Sequence, residues 1–247
     1  MTKKAVVVSL LLSPVLCFLS ACTSIFSDTQ AEAIYTALQK KEDPGNKIAG
    51  YSSLRLTYEN AASGVTLVMT FKRPSMLLFE TFRKGEKVPF LAYGLKNGVL
   101  REKSEDQPIT LVYDGPMRAS FQYLYESKMD MNRIVDSVSS DGLEYIDNIL
   151  CDKLNLHLKT RYAVRQITLY ISRETGYCIR SVCAPDPNLP NELWTDDFSD
   201  FRNYDGVVFP GQVSTTFGKT MTTFKLQKVE PNLSSPDTIF DFQTEGK

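Results

Sequence analysis

The chain has 247 residues, 43% of them hydrophobic, and its 28 basic residues against 29 acidic ones leave a formal charge of −1. So even a balance argues against a nucleic-acid binder, which would show a basic face. With a single histidine, His157, and five cysteines that never fall in CxxC spacing, a metal centre is not expected either.

In chain order, Lys3 and Lys4 precede an apolar run from Ala5 to Phe18, the n-region and h-region of a secretory signal. The run is short for a bilayer span of ~20 residues, Pro14 interrupts it, and no basic stop-transfer cluster follows. It ends in Leu19-Ser20-Ala21-Cys22, which resembles the bacterial lipobox, where cleavage precedes a cysteine that carries diacylglycerol. The resemblance implies a signal peptide over residues 1–21, a lipidated Cys22, and a protein anchored to a membrane without spanning it. An ordinary secretory signal with a chance cysteine is the alternative. Burial in lipid gives ~0.8 kcal/mol per methylene, so a stable hold needs two or more chains, as the resemblance implies. Thr23 follows Cys22, not the aspartate that marks inner-membrane retention in enteric bacteria, which points to the outer membrane.

Removing the signal leaves about 225 residues, enough for one large β-rich domain that needs no disulfide or metal staple. Cys151, Cys178 and Cys183 remain. If residues 150–158 and 177–184 are the outer strands of a three-strand meander, Cys151 and Cys178 lie too far apart for a bridge, which needs Cα atoms within ~7 Å. Cys178 and Cys183 are expected on opposite faces of one strand. All three read as reduced, half-buried small hydrophobes.

Residues 22–29 are small and polar, a tether. Asp28 is a candidate N-cap for a helix over about Gln30 to Lys41, with Ala31, Ile34 and Leu38 on one face, stopped by Asp43-Pro44-Gly45. From Tyr51 the period becomes two. Leu54, Leu56 and Tyr58 alternate with polar residues, and after Ala62-Ser63-Gly64 so do Val65, Leu67, Met69 and Phe71. Met76 to Phe82, Val88 to Tyr93, Val99 to Lys103 and Ile109 to Tyr113 continue the meander, with Asn97-Gly98 as a type I′ hairpin turn. Met117 to Lys128 and Met131 to Val138 have helical spacing. Strands then resume: Leu154, Leu156 and Leu158; Ile167, Leu169 and Ile171; Tyr177 to Val182; Trp194 to Tyr204; Val207 to Phe209; Gln212 to Phe217; Thr222 to Val229. Pro231 to Phe242 reads as a loop docked by Ile239, Phe240 and Phe242.

The order is helix, antiparallel strands, two short helices, then more antiparallel strands. One sheet face is apolar, and the helices are the elements able to cover it. Together with particular pieces, this order resembles the LolA/LolB-like superfamily of lipoprotein-sorting proteins. The pieces are Phe71-Lys72-Arg73-Pro74, Val112-Tyr113-Asp114-Gly115, Asn148 to Leu156, Ile167 to Arg180, and Phe201 to Pro210. The resemblance implies a single domain over residues 30–247 of α+β class, mostly antiparallel β. It would be an unclosed β-barrel whose helices cover the concave face, with an apolar cavity for acyl chains. Leu54, Leu56, Val65, Leu67, Met69, Phe71, Leu154, Leu156, Leu158, Ile167, Leu169 and Ile171 are the expected wall. An alkyl chain offers nothing to a buried polar group, so such a wall must be apolar. The same residues could instead pack solidly against the helices. Met69, Met76 and Met117 suit a compliant wall.

No enzymatic motif is present: no GxSxG elbow, HExxH, P-loop or GxGxxG after a strand. His157 falls on the polar side of a strand. Asp196, Asp197 and Asp200 read as solvated carboxylates on a loop entering a strand. A protein without catalysis or cofactor is expected, in one of two roles. One is an outer-membrane-anchored, periplasm-facing carrier or acceptor of lipid or lipoprotein acyl chains. The other is a structural or sensory envelope lipoprotein that uses the same fold to contact a protein partner.

Overall fold

The computed structural model describes residues 29–112, 115–159, 164–183 and 193–242. Cys22, the Asp28 cap and the proline-rich segment after Cys183 lie outside them. A helix, α1, spans residues 29–42, and a single turn, α2 (Lys47–Gly50), follows it. Asp43 accounts for that turn, accepting the Lys47 and Ile48 amides at 2.8 and 2.9 Å.

Six strands come next: β1 (Ser53–Asn60), β2 (Val65–Lys72), β3 (Met76–Phe82), β4 (Leu91–Lys96), β5 (Val99–Ser104) and β6 (Gln107–Val112). Helix α3 (Gly115–Met129) and a 3-10 turn, Met131–Arg133, interrupt the β structure. It resumes with β7 (Val135–Ile146), β8 (Ile149–Leu158), β9 (Gln166–Ser172), β10 (Cys178–Cys183), β11 (Trp194–Tyr204), β12 (Val207–Phe217) and β13 (Thr220–Pro231). A second 3-10 turn, Asp237–Asp241, ends the described chain.

All of these strands form one 13-stranded sheet in the order β6-β5-β4-β3-β2-β1-β13-β12-β11-β10-β9-β8-β7. It is two antiparallel meanders joined where β1 pairs with β13, and it is unclosed, with β6 and β7 as its edges. The expected turn at Asn97-Gly98 is present, with φ of 51° and 74°, and Asp205-Gly206 between β11 and β12 is of the same kind, with φ of 51° and 85°.

Several expectations are corrected. The helical spacing of Met131 to Val138 belongs to a short 3-10 turn followed by strand β7. Bulges at Val135/Ser137 and Ser140/Leu143 break the period of two there, so the strand loses its signature. Val207–Phe209 and Gln212–Phe217 are one strand. Gly211 permits this, because a Cβ there would stand 2.4 Å from the Asp200 carbonyl oxygen. Asp196, Asp197 and Asp200 sit within β11, not on a loop.

Cys151, Cys178 and Cys183 are free. Cys178 and Cys183 both belong to the core under α1, because a register shift between Cys178 and Arg180 puts them on one face. Burial pushes the Cys178 thiol up, and raises that of Cys183 to about 11.

Candidate functional site

The helices pack on one face of the sheet over two separate cores. Ala31, Tyr35 and Leu38 of α1 cluster with Leu154, Leu156 and Leu158 of β8 and Ile167, Leu169 and Ile171 of β9. Tyr125 and Met129 of α3 cluster with Leu54, Leu56, Met69 and Phe71, with Leu67 packed at the margin. Eleven of the twelve expected wall residues thus belong to these two cores on the helix-bearing face. Val65 lies on the same face, in step with Leu67 along β2, but is half-buried and in neither core. Met76 is not on this face at all: with Leu78 and Phe240 it forms a small core on the other side.

Burial on the helix-bearing face is graded along the strands. Leu54, Phe71, Leu77, Leu95 and Leu100 lie side by side in register across β1 to β5, each at most 1% exposed. Toward the β1–β2 turn the next row is Leu56, Met69, Phe79 and Tyr93, of which Phe79 and Tyr93 are only half-buried. Beyond it Tyr58 pairs with Leu67, also half-buried. Close packing at one end therefore gives way to looser apolar surface at the other. Phe121 of α3 completes that region, with its ring 5.8 Å from Phe79 and 5.0 Å from Tyr93.

Sequence reasoning missed the residues between the two cores. Phe198, Val213 and Phe224 stand in register across β11, β12 and β13, all half-buried. Phe198 packs against the α1 core, and Val213 and Phe224 against the α3 core. Their signal was present in the alternation of Trp194, Asp196 and Phe198 and of Val213, Thr215 and Phe217. Its meaning depended on which strands became neighbours. Tyr123 of α3 bridges the same gap, since Cys183, Asp196 and Tyr35 surround its phenol, whose pKa burial pushes up.

The polar residues singled out in the sequence are tied down, Asp196 on this face and Asp197 and His157 on the opposite one. Asp196 accepts from Trp194 Nε1 at 3.0 Å and from Thr215 Oγ1 at 2.6 Å. Asp197 pairs with Arg180, and Asp200 with Arg202. His157 Nε2 lies 3.1 Å from the Ser139 hydroxyl. Among the described residues no group of three or more histidines, cysteines and carboxylates is placed to hold a metal. The buried hydroxyl of Tyr125 is an exception, with no hydrogen-bond partner among the described residues.

One polar contact fastens the helices to the sheet. Arg73, just past β2, donates through Nε to the Tyr51 carbonyl at 2.9 Å. Its Nη2 donates to the carbonyls of Ile48 at 3.1 Å and Met129 at 2.9 Å. It thereby holds α2 and the C-terminal end of α3, whose last carbonyls have no partner within the helix.

Comparison with known proteins adds to the fold. No protein-family model matches the chain, and no curated protein sequence does. Solved structures match well. A DUF1329 family protein from Desulfovibrio piger superposes with a TM-score of 0.58 at 14% identity, over 85% of this chain and 96% of that one. A LolA superfamily protein from Nitrosomonas europaea gives 0.53 at 10% identity, over 85% and 96%. A domain provisionally described as an outer membrane lipoprotein-sorting protein, from Vibrio parahaemolyticus, gives 0.52 at 10% identity, over 80% and 96%. At such identities the likeness is one of fold: an open antiparallel sheet of the LolA kind.

Proposed function

We propose that this is an envelope lipoprotein, tethered by an acylated Cys22 to the periplasmic side of an outer membrane. In this reading the sheet curls as a half-barrel beneath α1 and α3 and takes acyl chains of a lipid or lipoprotein against its helix-bearing face. The observation that carries it is the graded apolar surface. Rows of buried leucines give way to half-buried Leu67, Phe79, Val213 and Phe224, where an alkyl chain can replace water without stranding a polar group. The LolA-like fold supports it, as does the lipobox-like Leu19-Ser20-Ala21-Cys22. The role is binding and transfer, without catalysis. Native mass spectrometry of protein extracted from membranes tests it: a fatty acyl species retained beyond the covalent anchor is expected, and a clean apo mass with no uptake of added lipid overturns it.

A second reading, a structural or sensory protein without cargo, is favoured by the open edge strand β6. Ile109 and Leu111 are exposed there, on a strand with one unpaired side.

A further inference from the structure

One row of the sheet runs out of the α1 core into solvent. Val138, Leu156, Ile167, Cys183, Trp194 and Phe217 are successive partners across β7 to β12. The first three are buried, Cys183 is half-buried, and Trp194 and Phe217 are 42% and 44% exposed, with ring centroids 6.1 Å apart. The tip of the β12–β13 hairpin continues this apolar surface. Phe217 faces Thr220, and Met221, 68% exposed, faces Thr216 and so projects from the opposite side of the hairpin. Leu193 is exposed beside Trp194, and exposed Lys219 stands at the turn between Phe217 and Met221.

A tip that is apolar on both sides and carries a cation suits a medium that surrounds it, not a partner that covers one face. The direction of α1 says which medium lies there. Lys41, near its C-terminal end, has Nζ 4.7 Å from the Tyr177 ring, at the start of β10. Tyr35, two turns earlier, shares the surroundings of Tyr123 with Cys183, at the end of β10. The helix therefore runs opposite to β10, and residue 29 emerges at the end of the sheet that carries Trp194 and Phe217. Residues 22–28, drawn out straight, reach roughly 25 Å. An acyl chain on Cys22 accordingly holds the membrane at this end.

We propose that the β12–β13 tip, with Trp194 and Leu193 beside it, dips into the interfacial zone of an anionic phospholipid bilayer. Tryptophan belongs at that depth, its indole amphipathic, and Lys219 faces the headgroup charge. The choice of the membrane as occupant rests on the proposed anchor; the apolar tip itself does not. Contact there would hold the looser end of the helix-bearing face against the surface from which acyl chains come.

Trp194 is the only tryptophan in the chain, so its fluorescence reports this contact alone. The protein, purified from membranes in detergent, is reconstituted into phosphatidylethanolamine–phosphatidylglycerol vesicles with and without lipid brominated near the headgroup. Quenching by about half is expected, and a Phe217→Ser/Met221→Ser chain with unchanged circular dichroism should lose most of it. Intact-mass analysis of the same sample reports the state of Cys22. An acylated chain that floats with the vesicles yet keeps its full Trp194 emission overturns the tip contact alone. An unacylated chain whose Trp194 is quenched overturns the anchor and supports the tip contact. Shielding of Trp194 from aqueous acrylamide without quenching by brominated lipid assigns the tip to a protein partner and likewise overturns the proposal.

Discussion

Arg73 Nη2 lies 2.9 Å from the carbonyl oxygen of Met129, so a residue at the end of strand β2 closes the C-terminal end of helix α3. The same guanidinium reaches Ile48 and Tyr51. Three backbone acceptors depend on one side chain. A hydrogen bond from a charged donor contributes ~1.5–3 kcal/mol, and acceptors left unpaired add their own penalty, so Arg73→Met should destabilise the fold by about 2–4 kcal/mol. Arg73→Lys should recover less than half, since an ammonium cannot span the planar fork that serves separate carbonyls. Urea denaturation measures both. An unchanged midpoint in Arg73→Met would mean that packing alone holds α3.

The graded face separates stability from binding. Leu54 and Phe71 are 0% exposed, and truncation to alanine should cost ~2–5 kcal/mol by loss of burial and creation of a cavity. Leu67, Val213 and Phe224 are half-buried, so Leu67→Ala or Phe224→Ala should cost about 1 kcal/mol or less while weakening uptake of a fluorescent fatty acid several-fold. Tyr125→Phe removes a buried hydroxyl that has no partner among the described residues and should raise stability by about 1 kcal/mol. Denaturation and lipid titration of the same variants check the division. Equal loss of stability at Leu54 and Leu67 would contradict it.

These residues also show what a sequence can convey. Leu54, Leu56, Met69 and Phe71 were legible because alternation fixes the face of a strand whatever its neighbours. The pairing of β1 with β13 leaves no such mark, so the division of the wall into two cores was hidden. So was the row Phe198, Val213 and Phe224 between them. Local irregularity hid the rest. The bulges of β7 made Ile134, Val135 and Val138 resemble a helix, and the shift after Cys178 reversed the expected face of one cysteine relative to the other.

Glu42, at the end of α1, predicts a pH dependence. Burial pushes its carboxyl up to about 7 from an ordinary 4.5, against the pull of Lys128. Between those values the folded chain binds more protons than the unfolded one, so this group's contribution falls as pH rises and levels off above about 7. Glu80, also raised by burial, acts in the same sense. Thermal unfolding from pH 4.5 to 8 should show the decline, and Glu42→Gln should flatten part of it. A Glu42→Gln chain with the slope of the parent would exclude Glu42 as its source.

The turn at Asp237–Asp241 docks on the far side of the sheet through Phe240, which is 0% exposed against Met76 and Leu78. Its approach needs Gly94, because a Cβ at that position in β4 would stand 2.3 Å from the Phe240 carbonyl oxygen. That neighbour is backbone and cannot swing aside as a flexible side chain would. The Lys96–Asp241 ion pair, 3.0 Å long and largely buried, fixes the same turn from the side. Gly94→Ala should therefore displace the whole C-terminal segment and forfeit most of the Phe240 burial, on the order of 3 kcal/mol, as much as Phe240→Ala itself. The double variant should cost little more than either single one, since both break one contact. Urea denaturation of the three chains, with limited proteolysis after residue 230 as a second readout, measures this. Additive losses would show that Gly94 and Phe240 act independently.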